Sequence, residues 1–326
     1  MTVVERDDVL ALLVPFGLGS GVLSPGPVAL GRVGAVWRLD TDDLSWAVKA
    51  NGNGDTEAGA GSSAGFQEAA VHAGVSAPGV RRTHDGTVLA HLGGGRTVRV
   101  LEWVDLADPD IALDPAAVGE LLGGLHRVPD GPWASGMPAT VDPWFTRPVG
   151  APAWDALIAS LAEAGAPFAP AYAAHRDELV ALETLVEAPV RLRACHRDLF
   201  ADNLRARGGG GLCAFDFDNA GPQDPDHELA FVLTEFATDA SGAVDPVRAR
   251  TLVEAYAAAG GPGRLRGPGS FSMVIAVLGH IGQLAGERWL GADDASARDD
   301  MAQWAGELTG RPLTRAVVTE LLDVTR

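Results

Sequence analysis

The sequence contains very little lysine and cysteine. Lysine occurs once, at position 49, so the other basic residues among the 25 in the chain are all arginine. Lys is a compact point charge on a flexible stem, whereas Arg is a wide planar fork. Lys49 is therefore either a chance feature of the composition or a residue at a position whose function arginine cannot provide. Cys195 and Cys213 lack metal-ligand spacing, and two cysteines build no disulfide framework.

Positive charge and long apolar runs are also scarce. The formal net charge is -18, and such a surface repels duplex nucleic acid and anionic membranes, so neither is an expected partner. It attracts a cationic ligand, unless the acidity only confers solubility. We expect no membrane span, because no run of about twenty apolar residues is present. The acidic N-terminus lacks a secretory signal, so we expect a cytoplasmic protein, with its oligomeric state left open.

What the chain does contain suits a folded protein of two parts. Its 326 residues are 47% hydrophobic and 21% charged, which provides a core and argues against disorder. Strand patterns dominate residues 1–104, which we expect to form a first lobe. Helical patterns dominate residues 105–326, which we expect to form a second lobe.

The first lobe reads as an antiparallel meander. Residues 28–39 predict two strands around a glycine-bearing turn, residues 44–50 the next strand, and residues 96–104 the strongest strand of this part. Residues 51–65 are rich in glycine and predict a mobile loop. A helix is expected to follow at about Phe66 and to end before Gly74.

Polar residues with a specific spacing lie in the segment 196–218. It reads His196-x-Asp198-x4-Asn203, and Asp216 follows thirteen residues after the asparagine. Phosphoryl transfer needs a carboxylate beside the acceptor hydroxyl and oxygen ligands that hold Mg²⁺ against the phosphates. An Asp, an Asn five residues later and an Asp on the adjoining strand provide that set.

A glycine-rich turn connects the two halves of this segment. GGGG at residues 208–211 predicts a hairpin over about 204–215, which would return Asp216 to the side of Asn203. The alternative is that Asp198 and Asn203 only cap turns and that Asp216 only ends a strand.

The segment resembles the aminoglycoside phosphotransferase family of antibiotic and choline-type kinases. That family has a catalytic loop H-x-D-x4-N and a metal-binding segment of the form I-D-W/F-E-x-A-G-x-G-D-P-x-x-D-L-A. This chain reads FDFDNAGPQDPDHELA over residues 215–230, with Glu228 in place of the last Asp. The resemblance implies an α+β, bilobal protein-kinase-like fold, in which an antiparallel sheet with one helix precedes a larger, mainly helical lobe. It also implies ATP or GTP as co-substrate, with residues 1–104 as the nucleotide-binding lobe and residues 105–326 as the catalytic and substrate-binding lobe.

The same resemblance implies roles for the polar residues. Asp198 would be the catalytic base, Asn203 and Asp216 the magnesium ligands, and Asp218 would contribute indirectly. Lys49, at the end of the run WAVK, is similar to the family's strand lysine that contacts the α- and β-phosphates.

Other parts of the first lobe are also similar to the family. Glu68 matches the glutamate that ion-pairs with the strand lysine. Glu102 and Val104 lie in a stretch that resembles the hinge strand, whose backbone reads the purine. Gly31 and Gly34 stand where the family has its phosphate loop, although two glycines in a hairpin also suit an ordinary turn.

Three other functions compete with a kinase. A phosphatase that forms an aspartyl-phosphate on Asp216 would need a downstream lysine, and no lysine follows position 49. A metal hydrolase built on His196, Asp198 and the two later aspartates would leave the lysine and Asn203 without roles. An inert nucleotide-binding scaffold would usually lack a base, a metal ligand or the lysine, and all are present.

The acceptor is the least determined part. Residues 287–307 are acidic and contain Trp289 and Trp304, and carboxylates beside aromatic rings suit a polyamine or an aminosugar. Glu287, Asp293 and Asp294 are the candidate acceptor contacts; the alternative is a solvated helix face. The family also phosphorylates choline, homoserine, sugars and peptide antibiotics, so the acceptor is expected to be small and cationic but is otherwise open.

Overall fold

The computed structural model describes residues 6–30, 34–51, 56–91 and 97–326. The chain forms two compact units that are not continuous in sequence: the first comprises residues 1–109, 128–138 and 202–221, and the second comprises residues 110–127, 139–201 and 222–326. The later segments 128–138 and 202–221 therefore belong to the first unit. The division into lobes at residues 104 and 105 stays a prediction.

The first unit contains an antiparallel sheet. Its strands are β1 (Val22–Leu23), β2 (Ala29–Leu30), β3 (Gly34–Asp40), β4 (Ser45–Asn51), β5 (Val80–Arg81), β6 (Ala90–His91) and β7 (Thr97–Glu102). The order is β1-β3-β4-β7-β5, with β2 paired to β3 and β6 to β7. Neighbouring strands run antiparallel. Strands β2, β3 and β4 pair in chain order, so the predicted meander of residues 28–50 is confirmed for these strands.

One face of this sheet is covered by the N-terminal helix α1 (Arg6–Leu13). Leu13 packs with Leu39, Val48 and Val100 in one apolar cluster, and all four side chains are fully buried. The strands alternate, so Lys49 on β4 points away from this cluster.

The prediction of a mobile loop over residues 51–65 is wrong for its second half. Helix α2 spans Glu57–His72 and is capped by the side chain of Thr56; residues 52–55 lie outside the described chain. The small residues of α2 form a close-packing face. A Cβ at Gly65 would lie 2.4 Å from Cβ of Trp133, so glycine here permits helix contact that a larger residue would prevent.

The second unit is mainly helical, as predicted. Its helices are α3 (Pro115–His126), α4 (Ala151–Glu163), α5 (Ala169–Glu183), α6 (Pro225–Phe236), α7 (Pro246–Ala258), α8 (Ser272–Leu290), α9 (Ala295–Gly310) and α10 (Arg315–Val324). The short strand β8 (Arg193–Cys195) precedes the catalytic-loop motif. Trp154, Tyr172 and Trp289 lie in an apolar cluster of α4, α5, α8 and α9.

Helix α8 lies at the centre of this unit. Residues 268–290 are long and apolar enough to cross a membrane by length and composition, with a mean hydropathy of 1.3, but 72% of their most apolar 18-residue window is buried inside the structure. The core helix of a soluble protein has the same properties. Burial against neighbouring helices thus accounts for the apolar character of α8.

Candidate active site

The hairpin predicted between Asn203 and Asp216 is confirmed. Strands β9 (Leu204–Ala206) and β10 (Leu212–Ala214) pair antiparallel, with Ala214 opposite Leu204. The pairing extends by one more hydrogen bond, because the backbone N–H of Phe215 donates to the carbonyl oxygen of Asn203 at 3.0 Å. Asn203 and Asp216 therefore lie beside each other at the open end of the hairpin.

The segment Asp216-Phe217-Asp218 turns sharply after β10. Asp216 has φ 59° and ψ 61°, the left-handed region, which costs a non-glycine residue about 1–2 kcal/mol. Phe217 is 1% exposed and its ring contacts the ring of Phe66 on α2 at 5.8 Å between centroids. The buried aromatic ring fixes the segment, and the two carboxylates on either side of it reach the same lysine.

Lys49 is that lysine. Its Nζ donates to Oδ1 of Asp216 and to Oδ2 of Asp218, at 2.7 Å each. Burial disfavours the charge of Lys49, but the carboxylates of Asp218 and Asp216 outweigh that effect, so the pKa of Lys49 is raised. The ammonium group therefore stays protonated across the physiological range.

Arg99 is a fourth member of this cluster that the sequence did not predict. It lies on β7 directly opposite Lys49 and is 5% exposed. Its guanidinium donates to Oδ1 of Asp218. Burial alone would raise the pKa of Asp218. The charges of Lys49 and Arg99 lower it by a larger amount, so the pKa of Asp218 is lowered. In the sequence, Arg99 could have been suspected because it is a charged residue between the apolar residues Val98 and Val100.

The predicted ion pair between Lys49 and Glu68 is not formed, which corrects that assignment. Glu68 lies on α2 as predicted, but its two carboxylate oxygens accept from Nε and Nη2 of Arg82 at 2.8 Å each. A planar guanidinium binds a carboxylate through two parallel hydrogen bonds, so Arg82 is a better partner for Glu68 than a point charge. Asp216 and Asp218 bind the lysine instead.

The catalytic-loop motif begins in the second unit. Asp198 is half-buried and follows Arg197, which has φ 66° and is, with Asp216, one of two non-glycine residues with positive φ in the described chain. The guanidinium of Arg197 lies over the ring of Phe145 at 4.3 Å. Left-handed backbone at non-glycine residues clusters at functional sites, and here each of the two motifs contains one such residue.

Glu228 fixes the backbone just before Asp198. Its carboxylate is fully buried and accepts from the backbone N–H groups of His196, at 3.3 Å, and of Arg197. Its Oε2 also lies 2.7 Å from Nε2 of His126. Burial raises the pKa of Glu228, but the hydrogen bonds from His126 and from the backbone N–H of Arg197 outweigh it, so the pKa is lowered. The family pattern in the sequence identified Glu228 only as a substitution for the last Asp and did not predict this role.

His126 continues this network. An ionised carboxylate only accepts hydrogen bonds, so Nε2 of His126 carries the proton that it shares with Glu228. Nδ1 then accepts from the hydroxyl of Tyr256 at 2.8 Å. The same hydroxyl accepts from the backbone N–H of Gly263 at 2.7 Å. A buried chain of hydrogen bonds therefore connects α7 and α3 to the catalytic-loop backbone.

His126, Cys195 and Glu228 are close enough to hold a metal ion. The chemistry of the donors argues against that use. The carboxylate of Glu228 is already bound by backbone amides and by His126. We therefore assign these residues to the hydrogen-bond network.

The remaining predicted nucleotide residues lie on the sheet of the first unit. Gly31 lies outside the described residues. Gly34 begins β3 and pairs with Asn51. Glu102 ends β7, where its N–H donates to the carbonyl oxygen of Gly79 at 2.8 Å. Val104 follows β7 and is half-buried. Their contacts with a nucleotide stay predictions.

The predicted acceptor carboxylates lie on the second unit. Glu287, Asp293 and Asp294 are all exposed. Asp294 also has a structural function, because its side chain accepts from the N–H of Ala297 at 2.8 Å and caps α9. Glu287 accepts from the side chain of Gln283 at 2.9 Å.

The residues around Asp216 fit a magnesium ion. Asp216 supplies a carboxylate and Asn203 a side-chain amide, and hard oxygen ligands of these kinds are what Mg²⁺ prefers. The ammonium of Lys49 already stands against Asp216 at 2.7 Å. A cation is therefore accommodated at this carboxylate.

Comparisons with known proteins agree with these motifs. A family model described as the phosphotransferase enzyme family matches residues 27–268. A homoserine kinase of Pseudomonas aeruginosa (strain UCBPP-PA14) is 33% identical over 200 residues, which is 56% of this chain and 56% of the relative. This chain thus spans just over half the length of that relative. A homoserine kinase of Methylobacterium sp. (strain 4-46) is 27% identical over 263 residues, 79% of this chain and 78% of the relative.

A solved structure agrees in fold. Spectinomycin phosphotransferase, in complex with ADP and spectinomycin, superposes with a TM-score of 0.67 at 12% identity and covers 100% of this chain and 99% of that one. At that identity the likeness concerns the fold, and the predicted α+β, protein-kinase-like fold is confirmed. Because the family model spans about three quarters of the sequence, this chain belongs to the phosphotransferase enzyme family.

Proposed function

We propose that this protein transfers the γ-phosphoryl group of ATP or GTP to a hydroxyl group of a small acceptor. The observation that carries the proposal is the cluster in which Lys49 binds Asp216 and Asp218, with Asn203 beside Asp216 across the hairpin. It combines a cation for phosphates with oxygen ligands for a metal ion, the two needs of phosphoryl transfer.

Each residue has a part in this reaction. Asn203 and Asp216 would hold Mg²⁺, which neutralises phosphate charge when bound. Lys49 would leave Asp216 and contact the α- and β-phosphates through its compact ammonium. Gly34, Glu102 and Val104 would line the nucleotide site by their position on the sheet, and the hinge backbone of the last two would read the purine.

Asp198 would act as the base. Its carboxylate would orient the acceptor hydroxyl and take its proton as the new P–O bond forms. The buried bonds from Glu228 to the amides of His196 and Arg197 would keep the loop that carries Asp198 in one conformation. A positioned base needs such support, since small displacements reduce catalysis strongly.

For the acceptor we propose an amino alcohol, homoserine first. Two curated relatives are named homoserine kinases, at 33% and 27% identity, whereas the likeness to the spectinomycin enzyme concerns the fold. A second candidate is an aminoglycoside or related aminocyclitol. The net charge of -18 and the exposed carboxylates of residues 287, 293 and 294 favour such a polycation.

A nucleotide-consumption assay with Mg²⁺ tests both parts of the proposal. Homoserine, ethanolamine, choline, spectinomycin and an aminoglycoside would be compared at equal concentration, with product identified by mass spectrometry. We expect homoserine to give the highest kcat/KM. Asp198→Ala should lower kcat by at least about 10²-fold and keep nucleotide binding, while the exposed neighbour Asp202→Ala should leave kcat unchanged. Near-normal turnover of Asp198→Ala would refute the assigned base.

A further inference from the structure

A buried arginine on an inner strand of the sheet needs an explanation. Arg99 lies between Val98 and Val100, which are fully buried on the opposite face of β7. A buried cation is tolerated only when it is paired. Arg99 also lies directly opposite Lys49, and like charges at such positions destabilise a sheet. An anion must therefore lie between the two cations.

Asp218 is that anion. One of its carboxylate oxygens accepts from Lys49 at 2.7 Å, and the other accepts from Arg99. Asp216 is held less firmly than Asp218. Only its Oδ1 binds Lys49, and its side chain is 34% exposed, compared with 26% for Asp218. Of the two carboxylates, Asp218 is held between two strands, and Asp216 is the one that lies beside Asn203.

We propose that Asp218, held by Arg99, is the carboxylate that orients Lys49 in this protein, in place of Glu68. Arg99 is then a positioning residue, which acts on the nucleotide phosphates only through Asp218 and Lys49. This inference rests on the proposed kinase function for its consequence, but the arrangement itself does not depend on any activity.

The proposal explains how Asp216 can exchange partners. If a metal ion bound Asp216, the ammonium of Lys49 would give up that contact. Its bond to Asp218 would remain, because Arg99 keeps Asp218 in place from the neighbouring strand. Lys49 would then still be anchored beside the phosphates. Glu68 does not provide this anchor, because its two oxygens accept from Arg82.

The single lysine makes the arrangement measurable without any nucleotide. The rate of acetylation of Lys49 by acetic anhydride at pH 8 would be followed by peptide mass spectrometry in the nucleotide-free protein. Asp218→Asn removes one of the two carboxylates that bind the amine, so the amine becomes more accessible to the reagent. We expect Asp218→Asn to speed acetylation by clearly more than about twofold, and the matched variant Glu68→Gln to stay within about twofold of the wild type.

A second measurement addresses Arg99. Binding of a fluorescent ATP analogue, without acceptor, would be compared for Arg99→Gln, Arg99→Lys, Asp218→Asn and the double variant Arg99→Gln/Asp218→Asn. Losing a hydrogen bond to a charged group should weaken binding by about tenfold in Arg99→Gln and in Asp218→Asn. The double variant should bind the analogue with about the same affinity as the single variant that binds it more weakly, because the two residues act through one contact. Arg99→Lys should recover most of the affinity.

The two measurements separate failure of this inference from failure of the kinase proposal. Acetylation that is unchanged in Asp218→Asn, or equally faster in Glu68→Gln, would overturn the inference even in an active kinase. Additive losses in the double variant, or no rescue by Arg99→Lys in a folded protein, would also overturn it. A wild-type protein that binds no nucleotide would refute the kinase proposal alone, because the acetylation result would stand by itself.

Discussion

The backbone N–H of Phe215 donates to the carbonyl oxygen of Asn203 at 3.0 Å. This hydrogen bond closes the hairpin of β9 and β10 at the end where both proposed metal ligands lie. Residues thirteen positions apart in the sequence thus become neighbours. Because the hairpin is short and its turn consists of glycines, local structure is enough to bring Asn203 and Asp216 together.

The pair can be tested through the metal dependence of nucleotide binding. We expect Asn203→Ala and Asp216→Ala each to reduce the gain in nucleotide affinity that Mg²⁺ provides. Asp216→Ala should have the larger effect, since it removes a formal charge as well as a ligand. Calorimetry with and without Mg²⁺ measures this gain, with Asp202→Ala as the exposed control. An unchanged Mg²⁺ dependence in Asp216→Ala would contradict the proposed kinase chemistry.

The close-packing face of α2 gives a prediction about stability. A Cβ at Gly65 would lie 2.4 Å from Cβ of Trp133, whereas at Gly61 the nearest neighbouring atom would be Oε1 of Glu57 at 3.9 Å. Gly65→Ala should therefore destabilise the protein by about 1–3 kcal/mol through overpacking. Gly61→Ala should stabilise it by about 0.5–1 kcal/mol, because alanine loses less backbone entropy in a helix.

Urea denaturation of the two variants provides the comparison. Both make the same chemical change in one helix, four residues apart, so helix propensity cancels between them. Equal midpoints would show that the face of α2 around Gly65 yields to an added methyl group.

The same helix shows where sequence-based prediction failed. Glycine and serine over residues 57–65 favour a loop, and the packing of Gly65 against Trp133, far along the chain, contributes to stabilising this stretch as a helix. The partner of Lys49 could not be predicted for a related reason. It depends on the register that places Arg99 opposite Lys49 and on the turn at Asp216, neither of which leaves a local pattern.

Features fixed by neighbouring residues were predictable. The strands β4 and β7 and the hairpin turn of GGGG are specified by local patterns, and each appears in the structure as expected. The hydrogen-bond network of His126 and Tyr256 was not predicted, because its members come from separate helices and only their burial together shows the connection.

The second acceptor candidate, an aminoglycoside or related aminocyclitol, predicts a dependence on ionic strength, whereas homoserine carries no net charge. If carboxylates attract a cationic acceptor, its KM should rise with salt, while the nucleotide KM changes less. Asp293→Asn combined with Asp294→Asn should raise the acceptor KM with little change in kcat, the pattern of lost uniform binding. Asparagine is chosen at position 294 because it preserves the cap on α9.

A matched control exists in the turn between β3 and β4. Asp42→Asn combined with Asp43→Asn removes the same charge from another exposed pair, and should leave the acceptor KM unchanged. Equal effects of the two double variants would mean that only the overall charge matters. A KM that does not respond to salt would remove the cationic acceptor from the proposal and leave the kinase chemistry untouched.

The lowered pKa of Glu228 predicts how stability depends on pH. The native carboxylate stays ionised below its ordinary pKa, because His126 and the N–H of Arg197 bind it. In the unfolded chain it takes up a proton near pH 4.5. Below that pH the unfolded state therefore binds more protons than the native state, so the contribution of Glu228 to stability is present above this range and is lost as the pH falls through the native pKa.

Glu228→Gln removes this contribution and should change the slope. The variant should be less stable at pH 7 by about 1–3 kcal/mol, because an amide group replaces one acceptor of a buried network. Between its unfolded and native pKa, the slope of the unfolding free energy with pH should fall by up to about 1.4 kcal/mol per pH unit relative to the wild type. Urea midpoints measured from pH 3 to 6 test this, with Glu163→Gln at the exposed end of α4 as the control. A parallel pH profile for Glu228→Gln and the wild type would mean that folding leaves the pKa of Glu228 unchanged, which would contradict the proposed stabilisation of its anion by His126 and the N–H of Arg197.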